Sequence, residues 1–231
     1  GIFHGLGTLG EPYKIDIDPD SKPYAIFTPR RVPYPLQDKV KEELSRMESL
    51  GVISKVEDST EWCAGMVAVP KKSGGIRICV DLKPLNESVK RQPHPLPTVE
   101  SILSQVSGAK WFSKLDANSG FWQIPLSPEF RPLTTFLTPF GRFHFNKLPF
   151  GLSSAPELFQ KRMSKLLEGL NGVVCLIDDV LVFAADKEEH DLRLRAVLNR
   201  MAEAGTTLNL EKCLFQQTEL KFLGHVLNQD G

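Results

Sequence analysis

The sequence has few cysteines, no surplus charge of either sign and no long apolar run. Four cysteines among 231 residues form no CxxC pair, which argues against a zinc module and predicts reduced thiols in an intracellular protein. They are Cys63, Cys79, Cys175 and Cys213. The charges of the 28 basic and 28 acidic residues cancel, so the net charge does not indicate a nucleic-acid partner. No apolar run approaches the ~20 residues that span a bilayer, and we expect no membrane partner.

The chain contains enough apolar residues for one large domain or two modest subdomains, with 41% hydrophobic residues. It starts at Gly1 without a methionine, and we expect it to be a piece of a longer protein. Apolar residues at helical spacing predict a helix between Leu36 and Leu50. MVAVP (66–70) and IRICV (76–80) predict a hairpin around KKSGG, and PHPLP (93–97) predicts a linker.

Further along, WFSKLD predicts a strand that ends at Asp116, and LTTFLT and RFHFN predict a hairpin around residues 139–141. Ser154 and Pro156 open a predicted helix, Asp186 opens another, and KFLGHVL predicts a final strand. Because the strands arrive in hairpins with helices between them, the fold class is α+β with an antiparallel sheet.

An adjacent pair of acids, Asp178 and Asp179, interrupts the apolar run VVCLIDDVLVFAA at residues 173–185. Buried unpaired carboxylates are costly, and two together repel each other. Residues 173–177 and 180–183 both have strand character, so we expect the two aspartates in the tight turn of a hairpin. Aspartates are also common in solvated turns, and the pair alone does not distinguish such a turn from a functional site.

Asp116 ends another apolar strand and is followed by small polar residues. If the two strands are neighbours, three carboxylates meet at one edge of a sheet and cannot all stay ionised without a cation. A hard divalent ion such as Mg²⁺ takes oxygen ligands. Two such ions roughly 4 Å apart would suit in-line phosphoryl transfer.

Six segments in order resemble the motifs of reverse transcriptases from gypsy-type (Metaviridae-like) LTR retrotransposons. They are VPKKSGGIRICVDLKPLN, LDANSGFWQIPL, TTFLTPFGRFHFNKLPFGLSSAPELFQ, LIDDVLVF, LNLEKCLF and KFLGHVL. The resemblance runs from about residue 12 to the end and implies a fingers and palm fragment of a pol polyprotein with a right-hand polymerase fold and little thumb. It implies an extended arm at 1–34, fingers at 35–90 and 124–154, and palm at 91–123 and 155–231, ending in the primer grip.

The resemblance also implies a role for each matching residue. Asp116 and Asp178 would be the principal ligands of two Mg²⁺ ions, for which Mn²⁺ could substitute, while Asp179 completes the acidic triad and the carbonyl of Ala117 adds a ligand. The predicted nucleotide-binding residues are Lys71 or Lys72 and Arg77 at the triphosphate, the backbone N–H groups of Ser119 and Gly120, Phe121 beneath the sugar, and Phe150 in the pocket. An aromatic ring at Phe121 would leave no room for a 2′-hydroxyl.

Template and primer contacts follow from the same resemblance. The predicted residues are Pro156 and Gln160 at the template, Lys83 and Asn86 at its overhang, and Phe222, Leu223, Gly224 and His225 in the primer grip. Leu176 stands where the family usually has a tyrosine that contacts the terminal base pair, so fidelity, processivity or efficiency should differ.

The implied function is an RNA- and DNA-directed DNA polymerase that adds dNTPs to a primer. Its partners would be a primed RNA or DNA template and the thumb, connection and RNase H segments of the same polyprotein. Its location would be intracellular, in a cytoplasmic virus-like particle or in the nucleus. The alternative is a catalytically weak or domesticated nucleic-acid-binding module. An RNA-dependent RNA polymerase would need a small or polar residue at Phe121.

Overall fold

Helical and alternating apolar patterns give the chain a mixed α+β structure with antiparallel sheets, as predicted. The computed structural model describes residues 1–230. Its α-helices are α1 (Gln37–Ser49), α2 (Lys83–Asn86), α3 (Val99–Val106), α4 (Ala155–Leu166) and α5 (Lys187–Ala204). Its strands are β1 (Ile53–Val56), β2 (Met66–Pro70), β3 (Ile76–Val80), β4 (Trp111–Asp116), β5 (Phe136–Thr138), β6 (Gly141–Phe145), β7 (Val173–Leu176), β8 (Asp179–Ala184), β9 (Leu214–Gln217), β10 (Leu220–Phe222) and β11 (His225–Leu227).

The chain divides into two compact units, and each unit is built from segments that are separated in the sequence. The first unit comprises Gly1–Gly10, Pro93–Gln123 and the described residues from Pro156 onward. The second unit comprises Glu11–Gln92 and Ile124–Ala155. The predicted arm at residues 1–34 is thus divided after Gly10.

The first unit is built on a four-stranded antiparallel sheet in the order β7-β8-β4-β9. Its central strand β8 contains the consecutive buried residues Val180, Leu181 and Val182, as expected for a strand covered on both faces. One face packs into an apolar cluster with α3 and the β10–β11 hairpin, including Ile102, Phe112, Val174, Leu181, Phe222 and Leu227. This packing places the C-terminal hairpin against the same sheet that carries the acidic residues.

The other face of β4 carries a buried polar contact to α5. Ser113 Oγ lies 2.8 Å from His190 Nε2, and both side chains are completely buried. Helix α5 begins where Asp186 accepts a hydrogen bond from the N–H of Glu189 and ends at Gly205, which has a φ of 79°. Both of its ends agree with the sequence pattern.

The second unit contains a three-stranded sheet, β1-β6-β5, and the separate β2–β3 hairpin. Phe136 of β5 is completely buried, and its ring centroid lies 5.9 Å from that of Phe143 and 5.3 Å from that of Phe145. Helix α1 buries Val40, Leu44 and Met47, as its spacing predicts.

Three local predictions need correction. Ile177 lies in the turn and Asp179 begins β8, because the β7–β8 hairpin has only two loop residues. Leu133 and Thr134 belong to the 3₁₀ helix Pro128–Thr134, since Pro128 and Pro132 favour a turn over a strand. Residues 221–227 form a hairpin with a turn at Leu223 and Gly224, which both have positive φ, instead of one strand.

All four cysteines are free, and three of them are buried. Within residues 1–230, no helix combines the length and apolar character needed to cross a membrane.

Candidate active site

The register of the first unit's sheet brings two of the three predicted acids side by side. Asp116, the last residue of β4, is the direct cross-strand partner of Asp179, the first residue of β8. Directly opposed residues share a face of the sheet with Cβ atoms about 5 Å apart, and like charges in this position are destabilising. Leu176 pairs with Asp179 from the other side. The row Leu176, Asp179 and Asp116 therefore crosses three strands at one edge.

The third acid, Asp178, occupies the two-residue turn between β7 and β8. Ile177, the other turn residue, has a φ of 53°, an unfavourable conformation for a β-branched residue. Buried Gln160 holds this turn: its Oε1 accepts a hydrogen bond from the N–H of Ile177 at 2.6 Å, and its Nε2 donates to the carbonyl of Cys175 at 2.9 Å. The surrounding contacts thus fix a strained turn at the position where Asp178 is presented.

The loop after Asp116 approaches this turn. The N–H of Ala117 donates to the carbonyl of Asp178 at 3.2 Å. A Cβ added to Gly120 would lie 2.9 Å from the Phe159 ring and 3.5 Å from the Asp178 Cβ, so a larger residue would not fit. Phe121 packs its ring 5.5 Å from that of Phe159. The predicted residues from Asp116 to Phe121 and the acidic turn thus form one continuous site.

The electrostatics of the site reflect this crowding. Burial, followed by the charge of Asp178, raises the pKa of Asp116 from its ordinary value of 3.8 to about 6. Burial and Asp178 also raise the pKa of Asp179. Lys114 and Lys212 lower both pKa values without reversing the shift. Carboxylates that repel each other in a partly desolvated position favour a proton or a cation between them.

The chemistry of these donors suits a hard divalent cation, because carboxylate oxygens are the ligands that Mg²⁺ prefers. Among residues 1–230, however, no group of three or more His, Cys, Asp or Glu side chains is already arranged to hold a metal ion. The fit therefore rests on the type of donor and on the mutual repulsion of Asp116, Asp178 and Asp179.

Two residues predicted to contact the template, Gln160 and Asn86, use their amides inside their own units. Gln160 is only 1% exposed, and its side chain binds the acidic turn. Asn86 donates to the carbonyl of Gly151 at 2.9 Å and accepts from the N–H of Ser153 at 2.8 Å. It therefore supports the loop that follows Phe150.

The other predicted residues of the second unit are accessible. Lys71, Lys72 and Arg77 are exposed on or beside the β2–β3 hairpin, and Lys83 is exposed at the start of α2. Phe150 exposes 52% of its surface. In the first unit, Pro156 at the start of α4 is half-buried.

The predicted primer grip coincides with the turn of the β10–β11 hairpin. Leu223 and Gly224 have φ values of 53° and 78°, and His225 is exposed. Leu176 and Leu223 both pack against the apolar cluster that contains Phe222. Leu176 thus contributes apolar contact between the acidic hairpin and this C-terminal hairpin.

Sequence reasoning missed two residues that shape the site, Lys212 near the acids and the buried Gln123, and it did not predict that Gln160 braces the acidic turn. A lone amide in an apolar stretch, as in GFWQIPL and ELFQ, is a usable signal because a buried amide must be hydrogen-bonded.

Comparisons with known proteins show the family and the fold of the chain. Residues 69–227 match the protein family described as reverse transcriptase (RNA-dependent DNA polymerase). The enzymatic polyprotein of Cestrum yellow leaf curling virus is 36% identical over 97% of this chain and 36% of its own length. The retrovirus-related Pol polyprotein from transposon opus of Drosophila melanogaster is 34% identical over 86% of this chain and 20% of its own length.

A solved structure of the foamy viral protease-reverse transcriptase in complex with RNA/DNA hybrid superposes with a TM-score of 0.88 at 22% identity. The match covers 98% of this chain and 30% of that chain, and at this identity it shows the shared fold. The chain spans about a third or less of the length of the curated relatives it matches.

Proposed function

Because the chain belongs to the reverse transcriptase (RNA-dependent DNA polymerase) family, we propose that it forms the catalytic part of a retroelement polymerase of the gypsy type. The reaction is attack of a primer 3′-hydroxyl on the α-phosphate of a dNTP, with release of pyrophosphate, on an RNA or DNA template. The single observation that carries this proposal is the pairing of Asp116 with Asp179 beside the strained turn of Asp178.

In this proposal the first unit is the palm and the second unit is the fingers. Asp116 and Asp178 would hold two Mg²⁺ ions with the help of Asp179 and the Ala117 carbonyl. When bound, these ions supply the positive charge that stabilises the phosphoryl-transfer transition state. The protein contributes position: β4 fixes Asp116, and the Gln160 brace fixes the turn that presents Asp178.

Nucleotide selection is assigned to the loop and to the basic hairpin. Phe121, held against Phe159, excludes a 2′-hydroxyl, and the N–H groups of Ser119 and Gly120 bind phosphate oxygens. Arg77 binds the triphosphate through paired N–H donors, assisted by Lys71 or Lys72. Phe150 is a further nucleotide-binding residue in this proposal.

The C-terminal hairpin, with its turn at Leu223 and Gly224, holds the primer end. Pro156 contacts the template strand and Lys83 its overhang. The partners are a primed template, dNTPs and the thumb, connection and RNase H segments of the parent polyprotein. The proposed location is an intracellular virus-like particle in the cytoplasm, or the nucleus.

Primer extension on poly(rA) with oligo(dT), dTTP and Mg²⁺ tests the polymerase proposal. The wild type should extend the primer, and Asp178→Asn should lose extension while still binding primer-template. Glu203→Gln, which removes an exposed carboxylate at the end of α5, is the matched control and should extend normally. Equal and negligible extension by wild type and Asp178→Asn, with binding retained, would indicate a nucleic-acid-binding module instead.

The sugar assignment has its own test. Phe121→Val opens space beneath the ribose and should raise incorporation of ribonucleotides relative to deoxynucleotides. The ratio of kcat/KM for UTP and dTTP measures this. An unchanged ratio would remove Phe121 from the specificity pocket.

A further inference from the structure

The N-terminal residues Ile2–Leu9 lie against the loop that follows Asp116. They accept and donate hydrogen bonds along the segment Gly205–Leu208: the N–H of Thr8 donates to the carbonyl of Gly205 at 2.9 Å, and the N–H of Leu208 donates to the carbonyl of Ile2 at 2.8 Å. We call residues 2–9 the N-terminal strap. It belongs to the first unit although more than a hundred residues separate it from either segment it contacts.

Gln123 connects the loop to Thr207 through its side chain and contacts the strap through its main-chain carbonyl. It is fully buried, and its Oε1 accepts from the N–H of Thr207 at 2.9 Å. Its Nε2 donates to the carbonyl of Asn118 at 2.8 Å and to that of Thr207 at 2.9 Å. Its own carbonyl accepts from the N–H of Leu9 at 2.7 Å. An amide is needed here, because a carboxylate could not donate to two carbonyls.

Asn118 is the second anchor of the loop. Its side-chain nitrogen donates to the carbonyl of Gly5 at 2.9 Å, and its N–H donates to the carbonyl of Thr207 at 3.0 Å. Thr207 in turn receives the N–H of Gly7 on its hydroxyl oxygen at 3.0 Å. Asn118 and Gln123 therefore bracket Ser119, Gly120 and Phe121.

The strap packs most closely against its neighbours at Gly7. A Cβ added to Gly7 would lie 2.4 Å from the carbonyl oxygen of Gly205, 2.7 Å from the N of Thr207 and 2.8 Å from Oε1 of Gln123. Two of these atoms belong to the backbone and cannot rotate away. Because Gly7 has no Cβ, the strap can approach Gly205, Thr207 and Gln123 directly at this position.

We propose that the N-terminal strap, acting through Gln123 and Asn118, positions the loop Ala117–Phe121 for nucleotide binding, and that Gln123 is a positioning residue for the polymerase reaction. This inference rests on the proposed function. The loop carries the Ser119 and Gly120 N–H groups and the Phe121 ring, and its first residue follows Asp116. Displacement of the strap should therefore disturb nucleotide use and leave binding of primer-template unchanged.

Hydrogen–deuterium exchange with peptide-level mass spectrometry tests the contact without requiring activity. In Gln123→Glu, a substitution of equal shape, peptides covering 117–122 and 2–9 should both lose protection, while those covering α5 keep it. The control is Gln105→Glu on the exposed face of α3, which should change neither. Unchanged protection of residues 2–9 in Gln123→Glu would overturn the inference even if the wild type proved inactive.

Kinetics then tests the positioning role. A displacement of about 1 Å can cost on the order of 100-fold in rate, and Gln123→Glu and Gly7→Ala should approach this loss in kcat/KM for dTTP, with an unchanged Kd for primer-template. Deletion of residues 1–9 should have the same effect, and a synthetic peptide of residues 1–10 added in trans should restore rate and protection together.

The melting temperature identifies variants that fail to fold, and for these Asn118→Ala replaces the deletion as the deciding variant. Wild-type kinetics in folded, exchange-perturbed variants would overturn the positioning role. Absence of extension by the wild type would instead contradict the proposed function.

Discussion

The β7–β8 and β2–β3 hairpins carry charges of opposite sign on very different supports. The β7–β8 hairpin is part of a four-stranded sheet, and its loop has only two residues. Gln160 holds the strained Ile177 in this loop. The β2–β3 hairpin forms a two-stranded sheet by itself, with Val67 and Val69 each 45% exposed. Its basic residues lie on accessible backbone.

The difference follows from what each group is proposed to do. Carboxylates that converge for chemistry repel one another, so their backbone must be fixed by contacts that offset the repulsion. Basic side chains that bind a triphosphate act through long flexible stems and tolerate a less constrained support. The acidic residues therefore lie on a rigidly held hairpin, and the basic residues lie on an exposed hairpin.

The largest effect is expected from removing the brace beneath the acids. Gln160→Leu leaves the N–H of Ile177 and the carbonyl of Cys175 unsatisfied, which should lower the free energy of unfolding by about 1–3 kcal/mol. Misplacement of Asp178 should reduce extension roughly 100-fold. Chemical denaturation and primer extension measure the two quantities, with exposed Gln105→Leu as control. Extension near the wild-type rate would show that the turn keeps its shape without the brace.

A smaller effect is expected from the basic hairpin. Arg77→Ala removes the proposed charge-assisted hydrogen bonds to the triphosphate and should raise KM for dTTP about tenfold without changing the melting temperature. Arg77→Lys should fall between the two. Lys71→Ala and Lys72→Ala, measured beside it, identify which lysine contributes. A loss of stability in Arg77→Ala would mean that this hairpin is as constrained as the acidic one.

The pH dependence of stability tests the crowding of Asp116 against the acidic hairpin. The raised pKa of Asp116, about 6 against 3.8, means that the folded protein holds this proton more tightly than the unfolded chain. Asp116 therefore destabilises the fold progressively as pH rises from about 4 to 6, and fully above that range. The stability difference between Asp116→Asn and wild type should widen over this interval. A difference that is constant with pH would contradict the crowding of the acids.

The smallest effect is expected at Leu176. The substitution Leu176→Tyr introduces the residue typical of the family. It should increase primer extension only about two- to threefold, because no proposed metal ligand changes. The larger side chain would crowd the apolar cluster against which Leu176 packs and cost about 1 kcal/mol. Steady-state extension and thermal melting measure both. A fall in extension would show that Leu176 suits this hairpin better than tyrosine.

Local signals in the sequence predicted many elements and failed where the partner is distant. Thr98 and Asp186 cap helices through bonds that span three residues, and both were predictable. Gln160, Asn86 and Gln123 bind partners 15, 65 and 84 residues away. Nothing near these residues in sequence reveals such partners, so these hydrogen bonds were not predicted. The pairing of Asp116 with Asp179 was anticipated only on the condition that their strands were neighbours.

The most direct measurement of the central claim compares activity and stability in Asp116→Asn at pH 7.5. If the three carboxylates converge for chemistry and not for folding, the variant should lose primer extension while its melting temperature equals or exceeds that of the wild type. Mg²⁺ should raise the melting temperature of the wild type and not that of the variant. A variant that extends primers, or that loses stability together with activity, would contradict the account.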